Sequence, residues 1–181
     1  MDNFIQAARN VGADVQVLAS PAEVLPYLRE QINGPLLVPP SASLERSGIM
    51  ADLLNSELAV VTEDFRTRGA SAEAGLTSAN FGIAETGTIV LESTAEDLRI
   101  ATTLPEKHFV ILDPGKILAT SEDAVPVLHD VHRQMPQAYL AYITGPSRTA
   151  DIERVLTIGV HGPAELHILL VDGLSKDLLE H

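Results

Sequence analysis

Apolar and polar positions recur along the chain with two periods. Phe4-Ile5, Ala7-Ala8 and Val11 fall at helical spacing, and Gly12 supplies a stop. Asp14 to Leu18 then reads as a short strand. Ser20-Pro21-Ala22-Glu23 predicts a helix start, with Ser20 as cap, Pro21 at the first helical position and Glu23 closing a capping box. This helix extends to Gln31, bends at Pro26 and ends at Asn33-Gly34-Pro35. Leu36-Leu37-Val38 and Leu58 to Thr62 read as strands, with a short helix and a loop between Ser41 and Asn55. The alternation predicts a mainly parallel sheet covered by helices.

The middle of the chain breaks this rhythm. Thr88–Glu92, Leu98–Thr102, His108–Leu112 and Lys116–Ala119 read as closely spaced short strands, the last two joined by the turn Asp113-Pro114-Gly115. They predict an antiparallel or mixed excursion. Thr120-Ser121 caps a helix from Glu122 to Arg133, Ala138–Thr144 and Leu166–Val171 read as strands, and Leu174–His181 as a short helix. Residues 63–73 carry charge and read as a loop. The expected fold class is α/β, with residues 1–181 in one domain.

Composition narrows the function. Hydrophobic residues make up 45% of the 181 positions but aromatics only 4%, so Ala, Val, Leu and Ile must fill the core. The 12 Lys and Arg against 25 Asp and Glu give a net charge of −13. That field repels phosphate backbones and anionic membranes, so no nucleic-acid partner is expected. No apolar tract is long enough for a membrane span and no signal peptide is evident, so no membrane insertion is expected and the expected location is cytoplasmic. Cysteine is absent, which excludes disulfides, thiol catalysis and thiolate-held iron–sulfur clusters within this sequence.

Three segments carry candidate chemistry. In the first, Glu85-Thr86-Gly87-Thr88 leads into the apolar Ile89-Val90-Leu91. Gly87 admits close backbone approach or a positive φ, Thr86 and Thr88 offer hydroxyls, and Glu85 a carboxylate. The cluster suits a site on a sheet edge, or a tight turn whose hydroxyls bond the backbone. In the second, a strand ends at Thr144, Gly145-Pro146 turns the chain, and a helix is expected to start near Thr149. Ligands of open α/β sheets bind beyond the carboxyl ends of strands, and helix starts attract anions. There Ser147 and Thr149 offer hydroxyls and Arg148 a bidentate clamp for a carboxylate or phosphate. The alternative is that Thr149 merely caps a helix and Arg148 pairs with Asp151. In the third, Gly159-Val160-His161-Gly162-Pro163, the flanking glycines leave His161 free to move protons or to bond a neighbouring carbonyl. His129 and His132 stand at i, i+3 without an evident third ligand. Gly69, Gly75 and Gly82 make no dinucleotide fingerprint, and neither a phosphate-binding P-loop nor a Gly-x-Ser-x-Gly elbow occurs.

Taken in order, Ile83 to Thr88 with Val90-Leu91, Gly145 to Glu153, and Gly159 to Pro163 resemble the signature of the LUD domain, found in the lactate utilization protein C family. The resemblance covers residues 58–173 best. It implies a Rossmann-like, mostly parallel sheet similar to the NagB/RpiA/CoA-transferase group. It also implies a part in oxidising L-lactate to pyruvate beside two partner proteins that carry iron–sulfur chemistry; with Arg148 and its neighbours as clamp, the expected ligand is a small anionic metabolite. No cofactor or metal is expected in this chain. The expected site comprises Glu85 and His161 as catalytic residues, and Thr86, Gly87, Thr88, Gly145, Ser147, Arg148 and Thr149 as ligand-binding residues. Glu85 is the residue comparable to the strand-end Glu nucleophile of the CoA transferases. The alternatives are a stand-alone sugar-phosphate isomerase or acyl/CoA-transferase-like enzyme, and a ligand-binding module without chemistry.

Overall fold

The structure, a computed structural model, describes residues 1–149 and 157–180. Helix α1 (Asp2–Asn10) leads into β1 (Asp14–Leu18), and a 3-10 turn at Pro21–Glu23 into α2 (Val24–Gln31). Then come β2 (Leu36–Leu37), α3 (Ala42–Arg46), α4 (Ile49–Leu54), β3 (Val60–Val61), α5 (Phe65–Arg68), β4 (Ala74–Ser78), β5 (Phe81–Ile83) and β6 (Thr88–Glu92). The remainder is α6 (Glu96–Thr103), β7 (Lys107–Leu112), β8 (Ile117–Leu118), α7 (Val125–Gln134), β9 (Leu140–Ile143), β10 (Arg148–Thr149), β11 (Thr157–Ile158) and β12 (Glu165–Val171).

Six strands form one sheet in the order β1-β12-β7-β4-β2-β3, and every pair is parallel. A second, mixed sheet has the order β8-β5-β6-β9. The fold is therefore the expected α/β arrangement with a mixed β excursion. The central strands β7 and β12 are near-continuous apolar runs because both of their faces are covered. Phe109, Ile111, Leu169 and Val171 pack against Val24 and Leu28 of α2, Leu44 of α3 and Ile49 and Leu53 of α4. The alternate residues Val110, Leu112, Ile168 and Leu170 pack against Phe4 and Ala8 of α1 and against Ile89 and Leu91 of the mixed sheet. Val90, on the other side of β6, joins Phe81, Ile83 and Ala124 under the start of α7. The mixed sheet thus lies between the parallel sheet and α7.

Several expectations need correction. Leu98–Thr102 lies in helix α6, not in a strand. Leu98 and Ala101 are buried three residues apart while Arg99 bonds back to the Ser93 and Thr94 carbonyls, a helical period that so short a β-like run conceals. Residues 63–73 are not a loop. Phe65 is buried and anchors α5, and Arg66 makes a bidentate ion pair with Glu96, both bonds 2.8 Å. The Ser41–Asn55 stretch holds two helices, divided at Gly48 with φ +81°. Strands β4 and β5 were not expected: β4 is built largely of small residues, and β5 is only three residues long. Residues 174–180 contain no helix, and side-chain bonds hold them instead. Arg148–Thr149 pairs as a strand with Thr157–Ile158 rather than opening a helix. The rest of that expected helix and the Asp151 partner lie outside the described residues.

Candidate functional site

The second and third motifs are zipped together by backbone. The Ser147 amide donates to the Pro163 carbonyl at 2.8 Å, and the Gly159 amide to the Ser147 carbonyl at 3.0 Å. Gly162 lies so close to Ser147 that an added Cβ would sit 3.1 Å from the serine Cβ. Between these loops, the end of β9 and the carboxyl end of α6 is a cavity of about 260 Å3. Thr144, Gly145, Ser147, His161, Thr102 and His108 are among its lining residues. His108 and Leu166 are the second residues of β7 and β12, so the cavity lies beside the amino ends of the parallel strands. The site expected from the sequence lies at carboxyl ends instead. That rule holds for Thr144 at the end of β9, which belongs to the mixed sheet.

The first motif approaches the cavity through hydroxyls. Thr86 Oγ1 and Thr88 Oγ1 are 2.7 Å apart, and Thr88 Oγ1 is 2.8 Å from Thr144 Oγ1. Thr144 lines the cavity, so this chain of hydroxyls joins the first motif to its wall. Glu85 does not line it. Its carboxylate accepts bonds from the Ser121 amide at 2.7 Å and the Ser121 hydroxyl at 2.5 Å, capping the turn that opens into α7. Those two bonds, the hydroxyl's first, hold the Glu85 carboxyl below the ordinary carboxylate range.

Gly87 and Gly145 have φ of +67° and +77° and are buried. A Cβ on Gly87 would lie 2.2 Å from the Ala8 amide nitrogen, and one on Gly145 would lie 2.3 Å from the Val11 carbonyl oxygen. Both glycines therefore let helix α1 and its end close onto the motifs. Arg148 belongs to the same contact. Its guanidinium donates to the carbonyl of Val11, the residue that caps α1, where the helix leaves carbonyls unpaired and favours a cation. Arg148 and Thr149 do not line the cavity.

Ser147 Oγ, the His161 ring and the Tyr142 hydroxyl are lining groups that combine exchangeable protons with no hydrogen-bond partner among the described residues; His161 and Tyr142 are exposed. Thr102 Oγ1 donates to the Arg99 carbonyl at 3.0 Å. His108, within the expected strand, is 1% exposed on β7, with Nε2 2.8 Å from Thr77 Oγ1. Burial, reinforced by the neighbouring His167, pushes its pKa down to about 3. It is thus a neutral hydrogen-bonding wall. The signal that could have found it is a lone polar ring at the head of a six-residue run that is otherwise apolar after Lys107. No Lys or Arg lines the cavity among the described residues. No group of three His, Asp or Glu able to hold a metal occurs among them either, and none of their helices is long and apolar enough to cross a membrane.

Known proteins place this arrangement. The sequence profile of the LUD domain matches residues 1–171. An uncharacterized protein of Neisseria meningitidis is 36% identical over 141 residues, which are 77% of this chain and 59% of that protein. Lactate utilization protein C of Bacillus subtilis is 31% identical over 160 residues, 80% of this chain and 67% of that protein. The chain thus spans about three-fifths to two-thirds of the length of these relatives. The crystal structure of a DUF162 family protein from Deinococcus radiodurans superposes with a TM-score of 0.68 at 22% identity, covering 94% of each chain, and shares the fold. A profile that runs from the first residue through β12, and so takes in all three motifs and the helix that packs on them, establishes that this chain belongs to the LUD domain family.

Proposed function

We propose that this chain is a non-redox component of L-lactate utilization in the cytoplasm, and that it binds a small anionic metabolite of that pathway in the cavity between its second and third motifs. The observation that carries this reading is the convergence of Ser147 and His161 on one cavity, each with hydrogen-bonding capacity to spare among the described residues. The name of the Bacillus subtilis relative supplies the pathway. The cavity is equivalent to roughly nine waters at ~30 Å3 each, enough for a short hydroxy or keto acid with part of its hydration. Ser147 Oγ would donate to the carboxylate. His161 would take or return the proton of the 2-hydroxyl, an ordinary task for an exposed imidazole. Thr86, Gly87 and Thr88 would support the wall through Thr144, while Arg148 and Gly145 would hold α1 against it. Glu85 would act one layer out, by fixing Ser121.

Oxidation of lactate to pyruvate releases two electrons and two protons. A sequence without cysteine offers no thiolate ligands for an iron–sulfur cluster, so in this reading the electrons pass to partner proteins that carry such clusters. Calorimetric titration of the purified chain with L-lactate and with pyruvate tests the binding. Ser147→Ala and His161→Ala are each expected to weaken it at least tenfold, or about 1.4 kcal/mol, with the fold retained by circular dichroism. Unchanged affinity in both variants would remove the cavity from the proposal. Undiminished growth on L-lactate after deletion of the gene, with no second copy to compensate, would remove the pathway.

A further inference from the structure

The carboxyl ends of the parallel strands carry a second arrangement, at the opposite end of the sheet from the cavity. After β1 the chain crosses to β2 and steps outward to β3; from β4 it steps the other way to β7 and β12. The switch falls between β2 and β4, the place where open α/β sheets take ligands. Residues 174–180 lie across this end, and Glu180 is seated there by two sets of bonds. Its carboxylate accepts from the Arg46 guanidinium, from Ser43 Oγ at 3.3 Å and from Ser175 Oγ at 3.2 Å. Its main-chain carbonyl accepts from Lys116 Nζ at 2.6 Å. Ser43 and Arg46 lie in α3 after β2, Lys116 follows β7 and Ser175 follows β12, so the donors come from the segments that follow three strands. A groove lined by Pro40, Ser41, Ala42, Glu45 and Leu179 runs beside Glu180.

Lys116 is the unusual member. It is 2% exposed, and its one hydrogen bond among the described residues goes to a neutral carbonyl. Burial pulls its pKa down, and the carboxylates of Glu180, Asp177 and Asp113 offset part of that from a distance. A buried ammonium is satisfied far better by a carboxylate than by an amide oxygen, because charge-assisted bonds are about twice as strong. Arg46 and Lys116 therefore form a two-cation seat in which one position holds a carboxylate and the other holds only a carbonyl. The two oxygen-bearing carbons of Glu180 that fill these positions, Cδ and the main-chain carbon, are separated by three carbons.

From this geometry we infer that Arg46, Ser43, Ser175 and Lys116 form a binding site for a five-carbon dicarboxylate, and that Glu180 is its internal occupant. A free dicarboxylate would keep the Arg46 and serine bonds at one end. At the other it would give Lys116 the charged partner that Glu180 withholds, displacing the segment 174–180. This site is independent of the lactate-pathway reading and shares no residue with the cavity.

The test uses glutarate as probe and the whole chain as protein. Glu180→Ala and Glu180→Gln vacate the anionic position, the second with little change of shape. Both are expected to bind glutarate at least tenfold more tightly than the unaltered chain, as read by titration calorimetry. Adding Arg46→Ala to either is expected to abolish the gain. In the unaltered chain, saturating glutarate is expected to speed amide hydrogen exchange at Leu174 and Ser175, whose amides donate to Asp113. Absence of glutarate binding to a folded Glu180→Gln variant would overturn the inference. So would affinity indifferent to Arg46, or inorganic phosphate binding as tightly as glutarate, which would mark a general anion site.

Discussion

His108 shows how one residue's surroundings decide its chemistry. A histidine whose pKa falls from 6.5 in the unfolded chain to about 3 when folded binds its proton more readily unfolded. Between those values the unfolded state carries more protons, so stability rises with pH and is lost as pH falls below about 6.5. For one such group the loss between pH 7 and pH 5 is about 2 kcal/mol. Glu73 and Glu180, held below the ordinary carboxylate range, also lose stability in acid, but only as pH falls further, towards and through their lowered values. Urea titrations at pH 7 and pH 5 therefore isolate the histidine. The His108→Asn variant, which can still bond Thr77 but does not titrate, is expected to shed most of that loss; an unchanged difference would assign it to another group.

At the scale of elements, the contact between α6 and β4 shows why one central strand was not legible in the sequence. The long apolar strands β7 and β12 and the helices α1, α2 and α7 were legible, because a continuous apolar run or a helical stripe is a local signal. Strand β4 was not, because Ala74, Gly75 and Thr77 are small, and their size is set by the helix across from them. A Cβ on Gly75 would stand 1.9 Å from the Ala101 carbonyl oxygen, so α6 crosses β4 at backbone distance. Gly75→Ala is expected to cost about 3 kcal/mol or more in urea unfolding, since a rigid backbone must move. Gly48→Ala is the control: φ is +81° but nothing lies within 4 Å of the added Cβ, so only the left-handed cost of about 1–2 kcal/mol applies. Equal losses would refute the close crossing. Of the expected site residues, Gly145, Ser147 and His161 lie on one cavity wall because they are near in sequence to two paired loops. Glu85 and Arg148 turned elsewhere, to Ser121 and to the end of α1, and neither partner could be read from local pattern.

The whole molecule adds a net charge of −13. An anion approaching the cavity meets that repulsion with no Lys or Arg in the lining among the described residues, whereas an anion at the switch point meets Arg46 and Lys116. Raising salt from about 10 mM to about 150 mM shortens the screening length from ~30 Å to ~8 Å. The two proposed sites should respond with opposite sign. L-lactate binding to the cavity is expected to tighten as the overall repulsion is screened, and glutarate binding to Glu180→Gln to weaken as its two cations are screened. Titration at both salt concentrations checks this, and a common direction for the two ligands would contradict the separate electrostatic origins assigned to them.

The positive-φ glycines of the first two motifs bear on how such signatures should be used. Gly87 and Gly145 are where α1 and its cap touch the chain at backbone distance, and Arg148 closes the same joint. The letters that make the pattern recognisable are thus a record of docking. Larger residues at either position would be tolerated only in a homologue whose first helix had moved or gone. A search keyed to them retrieves chains by their architecture, across whatever ligands those chains have come to hold. Inheritance of substrate has to be traced through other letters, among them Ser147 and His161, which line the cavity.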